Sequence, residues 1–202
     1  MIAPKSTKAS LPNIAERGRP PYGFVLLDCP SDHEIDGNLV TECQVVQSLL
    51  SNRRLGSATK LIRVTSYSGF RNSNWKTYNA IGFLHVAGHG SKFGLGFIGG
   101  NVSWKDVAKT LKKVAPKLDK DKQRVLCLSC CHSLAAYRAM KTDLKGHFTG
   151  AYHFSEEKIS FATAMTVWAM FYRRKTLERP HAAVVKAIND FFGKEVIGAK
   201  GI

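Results

Sequence analysis

Short apolar runs alternate along the chain with segments whose apolar residues recur at helical spacing. Phe24-Val25-Leu26-Leu27 has the pattern of a buried strand and ends at Asp28. Leu39, Cys43, Val46, Leu49 and Leu50 then fall on one face of a helix. The run Leu61-Ile62-Arg63-Val64-Thr65 predicts a second strand, and Ile81 to Val86 a third that stops at Gly88-His89-Gly90. Gly94, Gly96, Gly99 and Gly100 mark turns or a small hairpin. Ser103-Trp104-Lys105-Asp106 reads as a capping box opening a helix with Val107, Leu111 and Val114. Arg124 to Leu128 predicts a fourth strand, broken at Ser129-Cys130-Cys131-His132-Ser133, and Phe148 to Phe154 a weaker fifth. Ser155 is expected to cap the next helix, with Glu156 and Glu157 at its positive end and a stripe of Phe161, Met165, Trp168 and Tyr172. Pro180 starts a last helix carrying Val184, Ala187, Ile188 and Phe191, and Gly193 ends it.

Strands that are apolar throughout and alternate with helices predict an α/β three-layer sandwich. Its sheet is mostly parallel, of about five to six strands, with helices on both faces. The C-terminal GKEVIGAKGI is short, so a sixth strand is expected to be vestigial or absent. A length of 202 residues fits one domain better than two. Residues 1–21 read as a flexible basic N-terminal arm and 22–202 as the domain. Apolar residues at 44% and charged ones at 22% exclude collagen-like and wholly disordered classes. No run approaches the ~18 apolar residues of a membrane span, so none is expected. The first residues lack the apolar core of a secretory signal, and Glu16 and the prolines spoil a transit-peptide helix. The net charge of +15 draws the chain toward polyanions without naming one. Five cysteines, two of them adjacent, argue against a disulfide framework and for a reducing, cytoplasmic compartment.

In such sheets ligands bind at the carboxyl ends of the strands, where this chain puts His89-Gly90 and Cys130-Cys131-His132. A thiol becomes a good nucleophile on losing its proton, and an imidazole in reach can take it and pass it to a leaving amine. The 42 residues from His89 to Cys131 suffice for a crossover between neighbouring parallel strands. Gly90, lacking a side chain, could bring its N–H to a substrate carbonyl. Zinc is the rival for His85 and His89, but four residues of extended strand span ~13 Å, too far to share one ion. No metal or cofactor is therefore expected. A buried thiol pair with a structural turn histidine fits the same residue types.

FLHVAGHGSKFGLGF, VSWKDVAKTL and RVLCLSCCHS together resemble the caspase-like cysteine peptidases, above all the bacterial CHAT branch. In that group one apolar strand ends in His-Gly and the next in a small-residue-Cys motif. Val125 to Cys131 is similar to the CHAT run of apolar residues, Leu-Ser-Ala and nucleophile, with Cys130 in the Ala position. Cys131-His132-Ser133 also resembles the metacaspase Cys-His-Ser. The likeness spans roughly residues 22–193. It implies a caspase-hemoglobinase fold and peptide-bond hydrolysis, with His89 as general base and acid and Cys131 as nucleophile. The N–H groups of Gly90 and Cys131 are implied as oxyanion donors. It implies a protein or peptide substrate, and for small bacterial members a role in defence or regulated cell death with a dedicated target protein.

The chain also departs from its relatives. Caspases read Gln-Ala-Cys, absent here. Metacaspases carry an Asp two residues before the nucleophile that helps to hold a basic residue; here Ser129 stands there. Asp28 is placed to replace that charge, although a turn or capping aspartate fits it too. These two are the candidate substrate-binding residues. Strand periodicity leaves Cys130 and Cys131 both open; the motif register favours Cys131. The Lys-rich Lys112–Arg124 lies between the two motifs, as processing loops do in some relatives. A second function class stays open: an inactive caspase-like scaffold acting as a basic binding module for nucleic acid or an acidic protein partner.

Overall fold

A computed structural model describes residues 23–30, 40–53, 55–72, 81–119, 122–175 and 180–202. The N-terminal arm expected over residues 1–21, and Leu39, lie outside the described residues. In chain order the strands are β1 Gly23–Cys29, β2 Thr59–Arg63, β3 Ile81–Gly88, β4 Gly94–Phe97, β5 Gly100–Ser103, β6 Val125–Ser129, β7 Gly150–Phe154 and β8 Ile197–Gly201. The helices are α1 Glu42–Asn52, α2 Tyr67–Asn72, α3 Trp104–Val114, α4 Ser133–Met140, α5 Phe161–Lys175 and α6 His181–Phe192.

Six strands form one sheet in the order β2-β1-β3-β6-β7-β8. All its pairs are parallel except β7 with β8. Alternation along each strand divides the core in two. Leu84, Val86, Leu126, Leu128 and Cys130 pack against α2, α3 and α4. Phe83, Ala87, Val125 and Cys127 pack against α1, α5 and α6. The sandwich is thus covered on both faces, as the apolar strands predict.

Two expectations are corrected. The C-terminal segment does form a sixth strand: Gly198 to Gly201 pair with residues 150–153 of β7 and Ile197 with Phe154. Short as the segment is, an edge strand needs apolar side chains at one end alone, and Val196 and Ile197 are buried. Nor does Ser155 cap the following helix. Ser160 does, accepting from the Thr163 N–H at 3.1 Å, and residues 155–160 stay irregular. That later start rotates the stripe, so that Phe161 is 47% exposed while Val167, Trp168, Phe171 and Tyr172 are buried.

Elsewhere caps and turns follow the residue types. Thr41 caps α1 in a reciprocal box with Gln44. Ser103 caps α3 through the Asp106 N–H. Gly193 closes α6 at φ 65°. Among the described residues no helix is long and apolar enough to cross a membrane.

Candidate active site

The register levels the strand ends. Cys29 of β1 stands beside Gly88 of β3, and Ala87 of β3 beside Ser129 of β6. The chain therefore leaves the sheet at residues 89–90 and 130–131 side by side, at the carboxyl edge where α/β sheets bind ligands. Gly90 packs directly on the second loop. A Cβ there would stand 2.9 Å from Cys130 Cβ and 3.0 Å from its Sγ, and would collide with the Cys131 carbonyl oxygen. Only glycine admits this approach. The loop is held from its other side by the β4–β5 hairpin. Gly96 N–H donates to His89 O at 2.7 Å, and Ser91 N–H to Gly94 O at 2.9 Å. Trp104 Nε1–H donates to Ser91 O at 3.0 Å, tying the start of α3 to the same loop.

These bonds use the groups on either side of Gly90. Among the described residues neither the Gly90 N–H nor the Cys131 N–H has a hydrogen-bond acceptor. His132, next in line, adopts the left-handed conformation at φ 55°. A non-glycine residue there costs backbone energy, and its surroundings must hold it. Its N–H donates to Glu157 O at 2.6 Å, and its ring lies 3.9 Å from the Glu157 carboxylate. The irregular 155–160 segment is thus what fixes the turn after Cys131.

A crevice of about 110 Å³ opens here, lined among others by His89, Cys131, Asp28, Glu42, Ser129 and Phe161. Four of the five sequence-expected residues, His89, Cys131, Asp28 and Ser129, line this one crevice, with Gly90 packed beneath. Cys29, Cys43, Cys127 and Cys130 are buried, and Cys131 is half-exposed. Burial pushes the Cys127 thiol up to about 12 and the Cys29, Cys43 and Cys130 thiols up as well. Those four are held protonated. Both cysteines border the crevice, but Cys130 is buried with Leu126 and Leu128, whereas Cys131 is half-buried, its Sγ 3.8 Å from Ile159 O.

The crevice floor carries a polar network that sequence reading missed. Glu42 in the first turn of α1 places Oε1 2.7 Å from His85 Nε2, and Ser129 Oγ donates to Oε2 at 2.7 Å. His85 Nδ1 lies 3.1 Å from the Tyr172 hydroxyl, which also bonds the Cys127 thiol. With His85 Nε2–H donating to Glu42, its Nδ1 is left to accept from the Tyr172 hydroxyl. His85 is engaged here rather than toward a metal, and Trp168 meets its ring edge-on at 4.8 Å. Asp28 is buried, accepting from Thr41 Oγ1 at 3.1 Å and from Arg63 Nε at 3.0 Å. Ser129 is buried too, bonded to Glu42. Asp28 and Glu42 put two carboxylates on the crevice wall.

The fold is similar to that of solved cysteine proteinases. The chain is similar to gingipain R (RgpB), an Arg-specific cysteine proteinase, with a TM-score of 0.58 and 10% identity, over 89% of this chain and 46% of that one. It is similar also to a complex of the pro- and mature domains of Porphyromonas gingivalis RgpB, with a TM-score of 0.55 and 13% identity, over 89% and 47%. The chain therefore spans about half the length of the solved proteins it matches. No protein-family model matches it, and no curated protein does. Gingipain R belongs to the caspase-hemoglobinase fold, and the six-stranded sheet with its helices is the part held in common.

Proposed function

We propose that this chain is a cysteine endopeptidase of the caspase-like group, on the pattern of the CHAT branch. One observation carries the reading: the His89-Gly90 loop packs against Cys130-Cys131 at the mouth of a shared crevice. In the proposed reaction His89 takes the Cys131 thiol proton, and the thiolate attacks the scissile carbonyl. The oxyanion that forms faces the free N–H groups of Gly90 and Cys131. His89 then gives its proton to the departing amine, leaving a thioester. Water attacks the thioester, losing a proton to His89, and the thiol and a free carboxylate are released.

Asp28, already paired with Arg63, and Glu42, bonded to His85 and Ser129, still set two carboxylates on the crevice wall, and this negative wall favours a substrate with Lys or Arg before the scissile bond. Ser129, bonded to Glu42, orients that carboxylate. A natural role in bacterial defence or regulated cell death, on a dedicated protein target, follows from the CHAT resemblance.

The test is a thiol-directed activity probe with a basic recognition residue, applied to wild type and to Cys131→Ala. Labelling and peptide hydrolysis should vanish in Cys131→Ala and survive in Cys130→Ala. His89→Ala should lower turnover by at least 10³-fold with its melting temperature unchanged, within the scale of lost general acid–base catalysis and thiol activation. Equal labelling of wild type and Cys131→Ala defeats the proposal. The net charge of +15 supports a second reading, an inactive scaffold that binds polyanions or an acidic partner. Failure to cleave any member of a peptide library, with binding intact in Cys131→Ala, would favour it.

A further inference from the structure

The two faces of the sandwich differ in charge. Helices α2, α3 and α4 carry six lysines and arginines against one carboxylate. Helices α1, α5 and α6, on the other face, carry four against two. The surplus gathers at a cleft of about 560 Å³ between α2 and α3, lined by Tyr67, Arg71, Asp106, Lys109, Lys112 and Lys113. The cleft shares no lining residue with the crevice.

Helical spacing sets the row. Asp106, Lys109 and Lys113 stand at i, i+3 and i+7, on one side of α3. Asp106 is already satisfied, bonded by Ser103 Oγ at 2.7 Å and Lys109 Nζ at 2.8 Å. Lys112 reaches Asp143 at 3.7 Å. Among the described residues, Arg71 and Lys113 have no carboxylate within ion-pair distance. The cleft thus presents four cations from two helices against the carboxylates of Asp106 and Asp143, with Arg71 and Lys113 left to face a ligand. Lys109 and Lys113 are one helical turn apart, a step of about 6 Å, which suits successive phosphates along an extended strand.

An aromatic ring completes the set. Tyr67 is half-buried, its ring 6.5 Å from those of Phe70 and Phe97, and its remaining surface lines the cleft. The basic runs in the sequence hold no aromatic residues among them. Folding brings one to the lysine row from a separate helix. A ring beside a row of cations is how sequence-tolerant single-strand binders hold a base and its backbone together.

We propose that the α2–α3 cleft binds single-stranded nucleic acid, with Arg71, Lys109, Lys112 and Lys113 on phosphates and Tyr67 stacked on a base. A single strand fits better than a duplex, because a paired base cannot reach a ring set inside a recess. Inorganic polyphosphate would meet the cations and leave Tyr67 unused.

The test uses the full chain carrying Cys131→Ala, so that it is independent of any peptidase activity. Fluorescence anisotropy of a labelled dT20 strand is measured between 50 and 200 mM salt. With about four phosphates neutralised, log K should fall against log salt with a slope of roughly −3. Lys109→Ala combined with Lys113→Ala should weaken binding at least tenfold and flatten the slope. Tyr67→Leu, which keeps the apolar contact with Phe70 and Phe97, should weaken it about fivefold or more with the slope unchanged. Unchanged binding in the lysine variant, or no binding at 50 mM salt, overturns the proposal. Tighter binding of the duplex does so too. So does full competition by polyphosphate together with no effect of Tyr67→Leu, which would make the cleft a general anion patch.

Discussion

Glu42 joins the two polar side chains that reach the crevice floor, His85 from β3 and Ser129 from β6. All three are buried, at 0% exposure for His85, 5% for Glu42 and 4% for Ser129. Truncation in Glu42→Ala would strand the Ser129 hydroxyl and the His85 ring N–H together. Such orphaned groups cost about 1–3 kcal/mol each, so the variant should lose roughly 3 kcal/mol or more and melt several degrees lower. Glu42→Gln keeps one acceptor and should lose less. A melting temperature unchanged in Glu42→Ala would show that the network stabilises nothing. This network was not legible in the sequence. A lone histidine in an apolar strand and a glutamate in a first helical turn carry no sign of pairing across 43 residues. They meet because β1 and β3 are neighbours and α1 returns over them. The place of His89 and Cys131 at the sheet edge was legible, since each stands just past an apolar run whose end marks that edge. Asp28 was legible as a strand-end carboxylate, but its partners Arg63 and Thr41 were not, lying 35 and 13 residues away.

At the scale of elements, the apolar runs of β1, β3 and β6 could be read because strands buried on both faces need hydrocarbon at nearly every position. The edge was harder. β8 has solvent on much of its length, and its alternation dissolves into glycine and lysine. The start of α5 was misplaced because Ser155 and Ser160 both offer a capping hydroxyl, and tertiary contacts choose between them. His132 and Cys131 draw the backbone of residues 157–159 into the site, so the helix begins after it. At the far end of α5 and the start of α6 the packing has a consequence for pH. His181 lies against Tyr152, with ring centroids 5.2 Å apart, and burial lowers its pKa from the usual 6.5 to about 4. Burial lowers that of His153 as well. Between about pH 6.5 and 4 the unfolded chain then holds more protons than the folded one. Stability is therefore full above 6.5 and falls as the pH drops through that window. The melting temperature should decline from pH 7 to pH 4, and His181→Phe, which keeps a ring on Tyr152, should flatten part of the decline. A steeper decline in that variant would contradict the assignment.

Over the whole molecule, the sheet separates two basic features of the crossover between the motifs. Lys117 and Lys122 are exposed on the segment that leads from α3 to β6, while Arg124 is buried. Its guanidinium donates to the carbonyls of Ile81, Pro116 and His147 and lies 5.8 Å from the Phe148 ring centre. A peptidase that takes a basic residue before the scissile bond would find the two lysines and be refused the arginine. The segment, however, enters β6 at its amino end, and the crevice lies at the carboxyl end. Five residues of strand separate them by roughly 16 Å, with the body of the sheet between. A chain cannot bend its own crossover into its own crevice without unfolding β6, so any self-cleavage has to pass from one molecule to another. Intact mass after prolonged incubation at two protein concentrations decides this. The cut should follow Lys117, Lys120 or Lys122, its fraction should rise with concentration, and Cys131→Ala should stay whole alone but be cut by added wild type. Cleavage at a rate independent of concentration, or a chain that hydrolyses peptides yet remains intact, would remove the crossover from the list of its substrates.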